Sequence, residues 1–425
     1  MNAVSARDSD EAIRDVFRTE SARLVAGLVR LVRDVGLAEE LAQDALVAAL
    51  EQWPGSGIPN SPGAWLQAVA RNHAINTLKR NAVVARKHEQ IAPLERERER
   101  IRPDLEARID DEVGDDVLRL ILIACDPVLP MEGRIALTLR LLCGLTTAEI
   151  ARAFLVPEQT IAQRIVRAKR ALGEARAPFE VPRGPRLAER LASVRDVVCL
   201  VFNEGYAATA GDDLMRPHLC EDALRLGRML AELVRDDAEV HGLLALMELQ
   251  QSRAATRVDE VGDPVLLMDQ DRSRWDRSLI EHGLTELRRA ESLASPRARY
   301  TLQAAIAACH ARARAADETD WARIASLYGE LDAVAGSPVV RLNRAVARSM
   351  SEGPAVGLEA LDALTDEPAL RGYHLLPSAR AHLLEKLGRL DEARAEFERA
   401  ASLTENLRQR SRLLERARAC IAGGP

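Results

Sequence analysis

The sequence predicts an all-α protein, and three observations carry that expectation. Aromatic residues are 3% of the chain while hydrophobic residues are 47%. The apolar content is therefore mostly aliphatic, which suits helices, whereas strands draw on aromatic and β-branched side chains. Apolar residues recur at three- and four-residue intervals through most of the chain, the spacing of one buried helix face. Pro and Gly cluster at a few places between these periodic stretches, where helices must stop.

From Asp8 to about Asn81 the spacing predicts two long helices separated near Gly36, a loop through Pro54 to Gly63, and a third helix. Residues 82–115 read differently. Glu95 to Arg100 alternates in charge, Pro93 and Pro103 interrupt, and too few apolar side chains are present to offset the entropy of ordering, so a solvated polar linker is expected. A second compact segment covers 116–177 and ends before Pro178, Pro182, Gly184 and Pro185. Residues 186–425 form a long series of amphipathic helices, interrupted chiefly between Val258 and Asp276.

At about 150 residues per domain, 425 residues suggest about three domains. The formal charge of -6 argues against non-specific coating of nucleic acid, but it is unevenly spread. Residues 126–180 carry a net +2, whereas residues 1–80, 81–125 and 181–425 carry -1, -3 and -4. Apolar runs such as Leu118 to Cys125 fall far short of the roughly 20 residues that span a bilayer, and no charged-then-apolar leader opens the chain; a cytoplasmic protein without membrane attachment is expected. Cys125, Cys143, Cys199, Cys220, Cys309 and Cys420 lie at least 18 residues apart, so no metal knuckle or redox pair is expected, and no cofactor motif is present.

The most specific signal lies between Leu145 and Gly173. Thr146 followed by Glu149 is a capping box, which starts a helix with Ile150, Ala151 and Phe154 on its apolar side. Leu155 and Val156 make a short turn, and Pro157 suits the first position of a second helix. On that helix Ile161, Ile165, Ala168 and Leu172 form a buried stripe. Gln159, Gln163, Arg164, Arg167 and Arg170 are left for the outward surface. Amides and guanidinium groups on an anchored second helix are the chemistry of a helix-turn-helix reading a DNA major groove.

Two upstream stretches accompany it. Asp34 to Trp53 places Glu39, Glu40, Asp44 and Glu51 beside Leu41, Ala42, Ala45 and Ala49, a helix with an acidic outer side. Trp65 to Arg80 follows, with Leu66, Val69, Ala70 and Ile75 expected inward and Arg71, Asn72, Asn76, Lys79 and Arg80 left for phosphates and unpaired bases. Trp65 is one of few side chains there that would stack on a base.

In this order, G-L-A-E-E-L-A-Q-D-A-L-V-A-A-L-E-Q-W-P, A-W-L-Q-A-V-A-R-N-H-A-I-N-T-L-K-R and residues Arg134 to Leu172 resemble an extracytoplasmic-function sigma factor of bacterial RNA polymerase. The resemblance implies a sigma region-two domain at 8–81, the polar linker, and a sigma region-four helix-turn-helix domain at 116–177. It implies that Glu39, Glu40, Gln43 and Asp44 meet core polymerase, at the clamp helices of its largest subunit, with a further contact at the flap region. It further implies that Trp65, Arg71, Asn72, Asn76, Lys79 and Arg80 lie on the minus-ten strand. Gln159, Thr160, Gln163, Arg164, Arg167 and Arg170 would lie on the minus-thirty-five duplex, where Ala162 is shorter than the residue many relatives carry. The function implied is promoter-specific initiation by a non-enzyme; a DNA-binding regulator or repeat scaffold acting without core polymerase is the alternative.

Most relatives end after the fourth region, whereas 186–425 continue here. Ala379 to Leu403, with Leu387-Gly388 at a helix end, Ala393 and Phe397, is similar to a tetratricopeptide repeat, and Asn343 to Leu364 is a degraded echo. The whole resembles the sigma subgroup with a tetratricopeptide-like C-terminal extension, which implies regulation of the factor by that extension and a protein or ligand that acts on it. Asn203, Glu204, Tyr206, Asp269, Asp271 and Trp275 are its candidate functional residues. The plain structural reading of the same stretches is a helix end with Gly205 in the left-handed cap position, and a salt-bridged loop around Trp275.

Overall fold

The computed structural model of the chain describes residues 2–88, 109–175, 181–182, 184–208, 210–211, 214–259, 263–294 and 296–422. The described residues form two compact units, 1–197 and 198–425. The fold is all-α, with almost no strand.

In the first unit α1 (Asn2–Val32), α2 (Val35–Ser56) and α3 (Pro62–His88) pack mutually, and α4 (Ile109–Ala124) adds to α1. The break between α1 and α2 falls earlier than the expected Gly36. Arg33 takes a left-handed φ of 53°, and the Asp34 carboxylate accepts the Leu37 N–H at 2.8 Å, so the cap starts the helix before Gly36 is reached. Pro54 lies inside the last turn of α2, and Gly57, at φ 82°, closes the helix. Ala38, Ala42, Ala45 and Ala49 are fully buried, small side chains that let α1 and α3 come close to α2. α3 runs on to His88 and α4 begins at Ile109, so the ends of the expected 82–115 linker are helical; 89–108 lie outside the described residues.

α5 (Met131–Leu141), α6 (Thr147–Ala153) and α7 (Glu158–Glu174) follow, and then α8 (Pro185–Tyr206). The division between the units falls inside α8 rather than at the Pro-rich stretch before it. The first turns of α8 are tied to the first unit: Ser193 Oγ donates to the Cys125 carbonyl at 2.5 Å, and Arg134 Nη1 donates to Ser193 Oγ at 3.0 Å. Arg134 also holds the α4–α5 turn through the Leu129 and Pro127 carbonyls at 2.7 and 2.9 Å, so one guanidinium fixes the turn against α8.

The second unit continues with α9 (Pro217–Leu233), α10 (Ala238–Gln251), α11 (Arg277–Leu293), α12 (Arg299–Arg312), α13 (Trp321–Ala335) and α14 (Pro338–Glu352). It closes with α15 (Pro354–Asp362), α16 (Leu375–Lys386), α17 (Leu390–Leu403) and α18 (Leu407–Ala422). Most of these helices pack chiefly on their sequence neighbours, a pattern of successive helix pairs, whereas α12 packs mainly on α10. In the best of the repeat-like stretches, Gly388 (φ 74°) turns the chain between α16 and α17, and Ala381, Leu384, Ala393 and Phe397 are buried in one cluster. A two-residue parallel ladder, Ala210 with Glu405 and Gly211 with Asn406, joins the segment after α8 to the one before α18. Among the described residues no helix is long and apolar enough to cross a membrane, and all six cysteines are free.

Candidate nucleic-acid and polymerase interfaces

The helix-turn-helix is built from local chemistry. Thr146 Oγ1 accepts the Glu149 N–H at 3.2 Å while the Glu149 carboxylate accepts the Thr146 N–H at 2.7 Å, the reciprocal capping box that starts α6. Leu155, at φ 49°, makes the turn, and Pro157 is the N-cap of α7 rather than its first residue. Its extended backbone sets the angle at which α7 departs. Ile161, Ile165, Ala168 and Leu172 are between 1% and 6% exposed and anchor α7 on α5 and α6. Burial of each large member is worth roughly 1.5–3 kcal/mol, enough to hold the outward side in one orientation.

On that outward side Gln159, Gln163, Arg167 and Arg170 are exposed, and Thr160 and Arg164 are half-buried at its edge. Arg170 is paired within the helix, its Nε donating to Glu174 at 2.7 Å. Val166, 64% exposed, sits among these residues. Apolar, yet out of phase with the buried stripe, it carries no polar signal in the sequence that would mark it as part of the outward side.

On α3 Arg71, Asn72, Asn76, Lys79 and Arg80 are all exposed, recur within three- to four-residue spacing and form one polar stripe. Leu66, Ala70 and Ala74 are buried on the opposite side, with Val69 and Ile75 only half-buried. Trp65 is half-buried, its ring edge-on to the buried Trp53 ring at 5.1 Å.

The four acidic-helix candidates do not share one surface. Glu40 and Asp44 are exposed and Gln43 is half-buried, but Glu39 is 6% exposed. Arg140 Nε donates to Glu39 Oε1 at 2.5 Å, and the Lys169 ammonium sits against the other oxygen. Burial alone would raise the Glu39 pKa, but the hydrogen bonds and charges of Lys169 and Arg140 outweigh it and hold the carboxyl below its ordinary 4.5. Glu39 therefore links the acidic helix to α5 and α7, and on α1 Ser21 Oγ donates to the Leu142 carbonyl, just after α5, at 3.4 Å.

In the extension Gly205 is helical and not a left-handed cap. A Cβ there would stand 2.7 Å from the Cys220 amide nitrogen, so the glycine serves the close approach of α8 and α9. Asn203 is exposed, Glu204 is paired with Arg216, and Tyr206 is buried with its ring stacked on Phe202 and under the Arg257 guanidinium at 3.6 Å. Among the described residues the loop around buried Trp275 is braced by hydrogen bonds of Arg272 rather than by salt bridges. Arg272 donates to the His310 and Ala313 carbonyls at 3.0 and 3.2 Å and to Thr319 Oγ1 at 2.9 Å. Asp269 and Asp271 are both exposed, and Asp271 caps a short turn by accepting the Ser273 N–H at 2.9 Å. Among the described residues no three His, Cys, Asp or Glu side chains converge as metal ligands.

A helix-turn-helix with a free polar side, a second polar-striped helix in the same unit and a fused helical extension define a transcription protein that reads DNA. Residues 16–83 match the model of sigma-70 region 2 and residues 120–172 that of sigma-70 region 4. Residues 190–291 match a family of unknown function, DUF6596. Along 385 residues, 90% of this chain and 89% of the relative, the sequence is 43% identical to an uncharacterised protein of Rhizobium meliloti (strain 1021). The chain belongs to the sigma-70 family, as a sigma factor of the extracytoplasmic-function type with a C-terminal extension domain. Its function is that of an RNA polymerase sigma factor, which binds core polymerase and promoter DNA and directs promoter-specific initiation; the family is one of non-enzymatic initiation factors.

Proposed function

We propose that α2 docks on the clamp helices of the largest polymerase subunit through Glu40, Gln43 and Asp44, and that Glu39 joins them only when it leaves Arg140 and Lys169. Region four adds the flap contact. The polar stripe of α3, with Trp65 at its start, reads the melted minus-ten strand, and the outward side of α7 reads the minus-thirty-five duplex. The extension, a tetratricopeptide-like stack, modulates this activity and has no enzymatic role of its own, and the protein works in the cytoplasm.

The observation that carries this reading is the exposed set Gln159, Gln163 and Arg167 on a helix whose opposite side is buried. Gln163 suits a base edge and Arg167 a phosphate. With reconstituted holoenzyme, Gln163→Ala is expected to cost about 1–3 kcal/mol on the preferred promoter and to relax base preference at one position. Arg167→Ala is expected to weaken every promoter alike and to lower the salt slope by about one. Binding measured against single-base promoter variants and salt checks both; identical effects of the two substitutions on all promoters would remove this division of roles.

A further inference from the structure

A cavity of about 840 Å³ lies within the second unit, walled by the end of α8 with Asn203, by α10, α12, α13 and α14, and by Trp275. That size is within the range of small-molecule sites. Leu246, Leu249, Ile306 and Leu331 supply apolar wall, so the chamber accepts a hydrocarbon body. Its ionic lining is one-sided: Arg253 and Arg299 line it, and no Asp or Glu does, in a chain where acids outnumber bases 65 to 59.

Arg253 is half-buried and, among the described residues, makes no ion pair; its guanidinium lies 5.6 Å from the Tyr206 ring centroid. A half-buried cation with no acid beside it in the cavity wall offers an entering anion a charge partner. The remaining polar groups are hydrogen-bonding and uncharged. Trp275 is 3% exposed and its indole N–H has no partner, and the buried His310 Nδ1 has none either. Burial together with the charges of Arg253 and Arg272 pushes His310 down to about 3, and burial pushes the Tyr328 hydroxyl up to about 12, so near neutral pH the former is uncharged and the latter remains a donor. A chamber of mixed apolar and polar wall with an unpaired guanidinium, an unpartnered indole N–H and no acidic side chain selects its ligand by charge.

We propose that this cavity is a binding site for a small organic anion, a carboxylate on an apolar body, with Arg253 as the charge partner of the carboxylate. The site is argued from the extension alone. Its role as the input that modulates transcription rests on the function proposed above.

The experiment is isothermal titration of the full-length protein with octanoate and 4-phenylbutyrate, each compared with its neutral amide. One carboxylate per chain is expected, bound at least tenfold more tightly than the amide. Arg253→Gln is expected to remove that preference. Gln303→Glu, which places an acid in the half-buried lining, is expected to weaken carboxylate binding at least tenfold with an unchanged melting temperature, and it keeps the test decisive if Arg253→Gln folds poorly. Equal binding of acid and amide, no saturable binding of either acid, or unchanged affinity in a folded Gln303→Glu variant would overturn the site. These outcomes do not depend on polymerase. Run-off transcription with saturating octanoate then addresses modulation separately: a bound ligand that leaves output unchanged contradicts the regulatory role and leaves the site standing.

Discussion

Glu40→Lys combined with Asp44→Lys is expected to abolish co-purification with core polymerase while leaving thermal unfolding of the protein almost unchanged. Both side chains are exposed on α2, one helical turn apart. Exposed substitutions of this kind usually move stability by no more than about 0.5 kcal/mol. Among the described residues Asp44 pairs with His73 at 3.9 Å and Glu40 with none; a pair between two exposed groups contributes little. At an interface the same change replaces two attractive contacts by two repulsive ones, and like charges brought together there cost several kcal/mol. The measurement is a pull-down with tagged core enzyme beside a melting curve. Full binding by a folded double variant would show that α2 does not dock through these positions.

Arg140→Ala is expected to destabilise the first unit by about 3 kcal/mol, because it leaves the Glu39 carboxylate buried with one fewer cation. Arg140 also donates to the Leu145 carbonyl at 3.1 Å, so the entry to the helix-turn-helix loosens with it. Adding Glu39→Gln should recover part of the loss, since a neutral amide has less need of the second cation; a chemical-denaturation double-mutant cycle reads that coupling. The pH dependence has a defined sign. The Glu39 carboxyl is held below 4.5 in the folded protein, so its contribution is complete above pH 4.5 and is lost as pH falls through the lowered folded value. Glu39→Gln should flatten stability over that acid range. Additive effects of the two substitutions, with no change in the acid profile, would mean that the pair contributes nothing to holding α2 against α5 and α7.

The parts legible in the sequence are those fixed by neighbours along the chain. The Thr146–Glu149 box and the Ile161 to Leu172 stripe are set within one or a few turns, and both appear as the spacing predicts. The α1–α2 break was displaced from Gly36 because an Asp cap acts before a glycine interrupts. Gly205 shows the opposite failure: a glycine after an apolar run reads as a helix stop, yet its reason is the Cys220 amide of another helix, which no local pattern reveals. The burial of Glu39 was illegible for the same cause. An acidic residue flanked by exposed acids reads as surface, but its partner Arg140 lies 101 residues away and is brought to it only by packing. The cavity beside Arg253 likewise gathers side chains from five helices, and what defines its chemistry is the missing acid rather than a motif.

The most direct test of the sigma assignment is run-off transcription from a pool of promoter fragments with purified core polymerase, in the presence and absence of this protein. The expected result is a set of discrete start sites that require core enzyme and the protein together and that disappear with the Glu40→Lys, Asp44→Lys variant. Transcripts unaffected by the protein across the pool, together with sequence-specific duplex binding that needs no core enzyme, would contradict it.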